Sequence, residues 1–181
     1  TPANSKSVKE IISDAVCESA ILRDFGVDAL LIENMHDVPY LNCTIGPEIV
    51  SCMTAVAVAI REKIKLPLGV QILAAANKES LAVAQAANLN FIRAEGFVFA
   101  HVADEGYIES CAGDLLRYRK YINAEGISIF TDIKKKHAAC RRGSIMKHLK
   151  EFVKSVPDYR RTDKGNYKYR LEDILLLVIL G

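Results

Sequence analysis

Apolar residues recur at three- and four-residue spacing from Val8 through Ile11, Ile12, Ala15, Val16 and Leu22, which predicts an amphipathic helix ending near Phe25. Ser7 with Glu10 three residues on forms a capping-box signature at its start, and Gly26 is a stop signal at its end. The pattern then changes to a short apolar run, Asp28 to Glu33, of the kind that makes a buried parallel strand. Pro47 opens a second helix that runs to about Lys65 through Ile49, Val50, Met53, Val56 and Ile60. The alternation continues with a strand at Leu68 to Leu73, a helix at Lys78 to Asn88 and a strand at Phe91 to Glu95. A loop through Asp104-Glu105-Gly106, a helix at Ser110 to Ile122 and a strand at Ile127 to Asp132 complete it. Strands separated by helices of this length predict an α/β fold with a parallel sheet: four strands and four helices, either half of an eight-fold barrel or a small open sheet.

Composition narrows the class. The chain has 181 residues, half of them hydrophobic and a quarter charged, which excludes wholesale disorder and a collagen-like or coiled-coil chain. No apolar run approaches the roughly 18 residues of a membrane span, the longest being Ile174 to Leu180, and nothing at the start reads as a secretory leader. The five scattered cysteines contain no C-x-x-C pair, so a reducing compartment is expected in place of a disulfide framework or zinc site. Cytoplasmic placement follows, with mitochondrial or peripheral-membrane association left open. The net charge of +2 conceals a division: residues 1–140 carry 14 Lys and Arg against 17 Asp and Glu, and residues 141–181 carry 10 against 5. A boundary is therefore placed at Cys140-Arg141-Arg142-Gly143, between a domain at 1–140 and a basic helical tail at 141–181.

Polar side chains gather where the strands end: Glu33 and Asn34, Gln71, Arg93 and Glu95, and Asp132. In barrels and open α/β sheets alike, the carboxyl ends of strands hold the ligand. Glu33, Glu95 and Asp132 are candidate acid/base groups, joined by Asp37 in the His36-Asp37 loop. Asn34, Gln71 and Arg93 are candidate ligand-binding groups, Arg93 through an anion or a carboxylate. A solvated strand end or a helix cap is the competing account of each residue taken singly. Asp132 is followed by Lys136 and His137, a combination suited to a metal or a phosphorylated substrate. No metal ligand set is assigned, no glycine-rich phosphate fingerprint occurs, no cofactor is named by any motif, and Cys43 and Cys111 lack a base partner by spacing.

Several ordered motifs resemble the BtpA/SgcQ family over residues 1 to about 139. They are G-V-D-A-L-L-I-E-N-M-H-D-V-P-Y at Gly26 to Tyr40, G-P-E at Gly46 to Glu48, and L-P-L-G-V-Q-I-L at Leu66 to Leu73. F-I-R-A-E at Phe91 to Glu95, V-A-D-E-G at Val102 to Gly106, L-L-R-Y-R at Leu115 to Arg119 and F-T-D-I-K-K-K-H-A at Phe130 to Ala138 follow. The resemblance implies a TIM barrel grouped with ribulose-phosphate-binding barrels and a small phosphorylated or nucleoside-like ligand. It also implies a rival, a non-catalytic photosystem I assembly factor. Against the family pattern the chain reads as a truncated barrel, opening after the first strand and departing at Cys140 before the late strands that usually cradle phosphate.

The tail resembles the opening of H-repeat or ISAs1-type transposases, through S-I-M-K-H-L-K-E-F at Ser144 to Phe152, P-D-Y-R-R at Pro157 to Arg161 and the apolar run to Gly181. That resemblance implies two helices, about 144–156 and 169–180, and nucleic-acid contact through the tail alone. A partial barrel also leaves strand edges at 28–33 and 127–132 open, so self-association and low solubility are expected.

Overall fold

The computed structural model describes residues 5–132. The capping box forms as its residue types dictate: the Ser7 hydroxyl accepts from the Glu10 N–H, and the Glu10 carboxylate accepts from the Ser7 N–H at 2.7 Å. Helix α1 follows as Val8–Asp24, and Gly26 at φ +83° takes the left-handed turn that ends it. Strand β1 is Leu30–Glu33, α2 is Pro47–Lys63 with Pro47 in its first turn, and β2 is Leu68–Gln71. Helix α3 is Asn77–Ala86 and strand β3 is Phe91–Ala94. Where a plain loop is expected around Asp104-Glu105-Gly106 the chain instead makes a hairpin, β4 His101–Ala103 and β5 Gly106–Ile108. Gly106 at φ +107° permits the tight reversal. Each strand is only three residues long, too short for an alternation of side chains to stand out in sequence. Helix α4 at Ala112–Tyr121 and strand β6 at Ser128–Thr131 complete the described part.

The four long strands pair in parallel in the order β1-β2-β3-β6, which is the order of the chain. Among the described strands that order does not reverse, so they contain no switch point of the doubly wound kind. Right-handed crossovers then put the helices on one side of the sheet, as in a barrel wall. Burial agrees. Leu30, Leu68, Val70, Ile92 and Ala94 point to the helix side and are buried with Met53, Val56, Ile60, Leu81, Ala84 and Leu115. The described part is α/β, four parallel strands alternating with helices, and matches the arrangement of a partial (β/α) barrel wall.

The other face is the barrel's inner one, and the register fixes its rows. Leu31, Gly69, Phe91 and Ser128 share one row; Glu33, Gln71, Arg93 and Phe130 share the next. The Phe91 ring lies over β2 and against Phe130, with ring centroids 4.9 Å apart. A Cβ at position 69 would sit 2.2 Å from the Phe91 ring, so glycine makes the space. Gly69→Ala is therefore expected to displace that ring and cost about 1 kcal/mol, seen as a fall in Tm of a few degrees. An unchanged Tm would mean that the ring does not lie there. Among the described residues β1 and β6 each have one strand neighbour. The tail helices, and with them Lys136 and His137, lie outside the described residues.

Candidate functional site

Arg93 is the centre of the carboxyl-end layer. It leaves β3 on the inner face and its guanidinium meets Asp132, just past the end of neighbouring β6, through Nε to Oδ1 at 3.0 Å and Nη2 to Oδ2 at 3.1 Å. The fork of the guanidinium matches the two carboxylate oxygens, the strong geometry for such a pair. Nη1 reaches the other way, over the intervening strand β2, to Glu33 Oε1 on β1 at 3.4 Å. Strands about 4.8 Å apart put β1 and β3 within the span of an arginine. The Asp132 side chain is 10 % exposed, that of Glu33 20 % and that of Arg93 33 %. Burial works against the Arg93 charge, yet Asp132 first, then Glu33 and Glu95, outweigh it and hold the guanidinium pKa above its ordinary value. Of the two partners expected for Arg93, an anion or a carboxylate, the described residues supply carboxylates.

Gln71 stands in the same row between Glu33 and Arg93. It is 2 % exposed, and its Oε1 is buried with no hydrogen-bond partner among the described residues. Glu95 is held differently. Its Oε2 accepts from the Ala75 N–H at 2.7 Å, and Ala75 sits at φ +57°, a conformation an alanine rarely adopts. Asn77 clamps the Glu95 backbone from both sides, Nδ2 donating to Glu95 O at 2.7 Å and Oδ1 accepting from Glu95 N at 3.1 Å. Ser80 adds a further tie, accepting from the Ile72 N–H at 2.9 Å and donating to Ala76 O at 2.9 Å. Glu95 therefore fixes the turn between β2 and α3 while adding negative charge near Arg93.

Asn34 and Asp37 form a brace at the end of β1. The Asn34 side chain accepts from the Leu73 N–H at 2.7 Å and donates to Asp37 Oδ2 at 3.2 Å. These two residues join the β1 loop to the β2 loop; the contacts to Arg93 come from Glu33 and Asp132. The same loop is tied to the hairpin by Asn42, whose Nδ2 donates to the carbonyls of Glu105 and Tyr107 at 3.1 and 3.0 Å. Burial first, then the carboxylates of Glu105, Glu33 and Asp37, pushes the Tyr40 phenol up. This end of the sheet is acidic.

Sequence reasoning missed Asn77 and Asn42. Asn77 begins a helix, where asparagine reads as a cap, and its partner lies 18 residues away. Among the described residues Cys17, Cys43, Cys52 and Cys111 are free, and no group of three or more His, Cys, Asp or Glu could hold a metal ion. Burial pushes the thiols of Cys43 and Cys111 up.

A family model for the BtpA family matches residues 2–158. The chain belongs to the BtpA family. The match to BtpA continues through the charge change near Cys140 and includes every residue of the layer just described. An uncharacterized mitochondrial protein of Caenorhabditis elegans is 50% identical over 147 residues, which cover 77% of this chain and 52% of that protein. An uncharacterized protein of Archaeoglobus fulgidus is 35% identical, covering 71% of this chain and 51% of the relative. The photosystem I biogenesis protein BtpA of Synechocystis is 31% identical over 128 residues, 71% of this chain and 44% of that protein. The chain spans about half the length of the curated relatives it matches. No solved structure matches it significantly. Among the described residues no helix is long and apolar enough to cross a membrane.

Proposed function

We propose that this chain forms part of a BtpA-family barrel that binds a small ligand over the Glu33–Gln71–Arg93 row, with Glu33 as its acid/base group. The observation that carries the reading is the convergence of Glu33, Gln71, Arg93 and Asp132, one from each of the four parallel strands or its carboxyl end, on one face. That end is where barrels place their chemistry. Asp132 has both oxygens on Arg93, whereas Glu33 meets it through Oε1 alone, so Glu33 keeps an oxygen for proton transfer. The ligand class implied by the family resemblance is a small phosphorylated or nucleoside-like molecule.

The test is thermal unfolding of the full chain against a panel of nucleosides, sugars and sugar phosphates. A ligand at about 100 times its Kd adds about 2.7 kcal/mol and raises Tm accordingly. The expected result is stabilisation by one chemical class, reduced in Glu33→Gln. A panel with no stabilising compound, or stabilisation indifferent to Glu33→Gln, would overturn the reading.

The name of the Synechocystis relative, a photosystem I biogenesis protein, supports a second proposal, a non-catalytic role in assembling another complex. Exposed Met35, Leu41, Val98, Phe99, Val102 and Tyr107 on the two loops tied by Asn42 give such a role an apolar contact surface. On this second reading no compound in the panel stabilises the chain.

A further inference from the structure

We propose that the acidic, apolar surface formed by the β1–α2 loop and the β4–β5 hairpin seats this chain's own basic segment 141–156, which lies outside the described residues. Met35, Leu41, Val98, Phe99, Val102 and Tyr107 are each more than half exposed there. Asn42 ties the loop to the hairpin through the carbonyls of Glu105 and Tyr107, so the two present one surface. Its charge has a single sign. From Glu33 to Glu48 there are three acids and no Lys or Arg, and from Glu95 to Asp114 five acids and no Lys or Arg. Asp104, at the hairpin turn, and Glu109, just past β5, are exposed. An apolar surface set among acids fits a partner that is apolar along one line and basic around it.

Residues 141–156 have that composition. Arg141, Arg142, Lys147, Lys150 and Lys154 are set against one acid, Glu151. Ile145, Leu149, Phe152, Val153 and Val156 recur at the spacing of a single helix face. Topology brings the segment to the right end of the sheet. The four strands are parallel, so the chain leaves β6 at the same end as the β1–α2 loop and the hairpin that follows β3. Eight residues, 133–140, separate Asp132 from the segment and reach about 28 Å when extended. The sheet from β6 to β1 is only about 14 Å across, at strand spacings of about 4.8 Å. So short a tether gives an effective concentration in the millimolar range, at which a modest contact is enough. An outside partner that uses this surface has first to displace the segment.

Zero-length crosslinking of lysines to carboxylates in the full chain is the test. A mixture of nitrogen-14 and nitrogen-15 chains tells links within one chain from links between two. The expected result is links within one chain from Lys147, Lys150 or Lys154 to Asp104, Glu105 or Glu109. Their yield should fall about threefold when salt is raised from about 0.05 to about 0.5 M. Leu149→Asp combined with Phe152→Asp should remove the links and speed amide exchange across residues 97–108 about tenfold. Exchange in β2 and β3 should stay as in the parent, which shows that this variant still folds. Links chiefly between chains would assign the surface to a second copy and overturn the proposal. Links from these lysines only to acids elsewhere, or no links at all, would overturn it too, as would a yield indifferent to the double substitution.

Discussion

Replacing Asn77 with alanine is expected to destabilise the chain by about 3 kcal/mol, because the buried N–H and C=O of Glu95 each lose a hydrogen bond to the Asn77 amide, the carbonyl keeping the long Cys111 Sγ contact at 4.0 Å, at a cost of about 1–3 kcal/mol each. Asn77 is 6 % exposed, so water does not readily take its place. The loss should extend beyond the residue itself. Glu95 holds the Ala75 N–H at a left-handed φ, and a loosened Glu95 backbone releases the turn that follows β2. For a chain of this size the Tm should fall by roughly 6–12 °C in thermal unfolding followed by circular dichroism. Ser80→Ala, which strips the partner from the Ile72 N–H, should fall short of that but move in the same direction. A Tm unchanged in Asn77→Ala would mean that the clamp does not form.

Arg93→Met is the second large effect. It leaves Asp132 and Glu33 partly buried without their cation. Breaking a fully buried pair costs 3–5 kcal/mol; with Arg93 a third exposed the expected loss is about 2 kcal/mol. Arg93→Lys keeps the charge and loses the two-point match to Asp132, so it should recover only part of the stability. Chemical denaturation midpoints of the three proteins give the comparison. Equal stability of Arg93→Met and the parent would contradict the ion-pair layer, and full recovery by lysine would show that charge alone matters.

The sequence revealed the frame of this molecule because its signals are local. Ser7 and Glu10 are three residues apart, Pro47 marks a helix start by its own ring, and the apolar runs at 30–33, 68–71 and 91–94 need no distant partner to read as strands. The strand-end residues could be picked out for the same reason: once a strand is placed, so is its carboxyl end. What each does there depends on contacts remote in sequence. Arg93 chooses between an external anion and Asp132 39 residues later, or Glu33 60 residues earlier, and nothing near position 93 records that choice. Glu95 likewise reads as a carboxylate at a strand end, and its contact with the Ala75 N–H, 20 residues earlier, leaves no mark near position 95. Asn34 and Asp37 bond to each other, and Asn34 to the Leu73 N–H 39 residues away, a contact no local signal marks. The hairpin at 101–108 escaped notice because three-residue strands are shorter than any periodicity can register.

The central claim is that the inner-face row of Glu33, Gln71 and Arg93 is where this BtpA-family chain takes its ligand. A crystal structure of the full chain, grown with whichever panel compound raises Tm most, tests it directly. The account predicts density for that compound within hydrogen-bonding distance of Glu33 and Gln71, with Arg93 still paired to Asp132. Density seated elsewhere, with this row unoccupied, would contradict it.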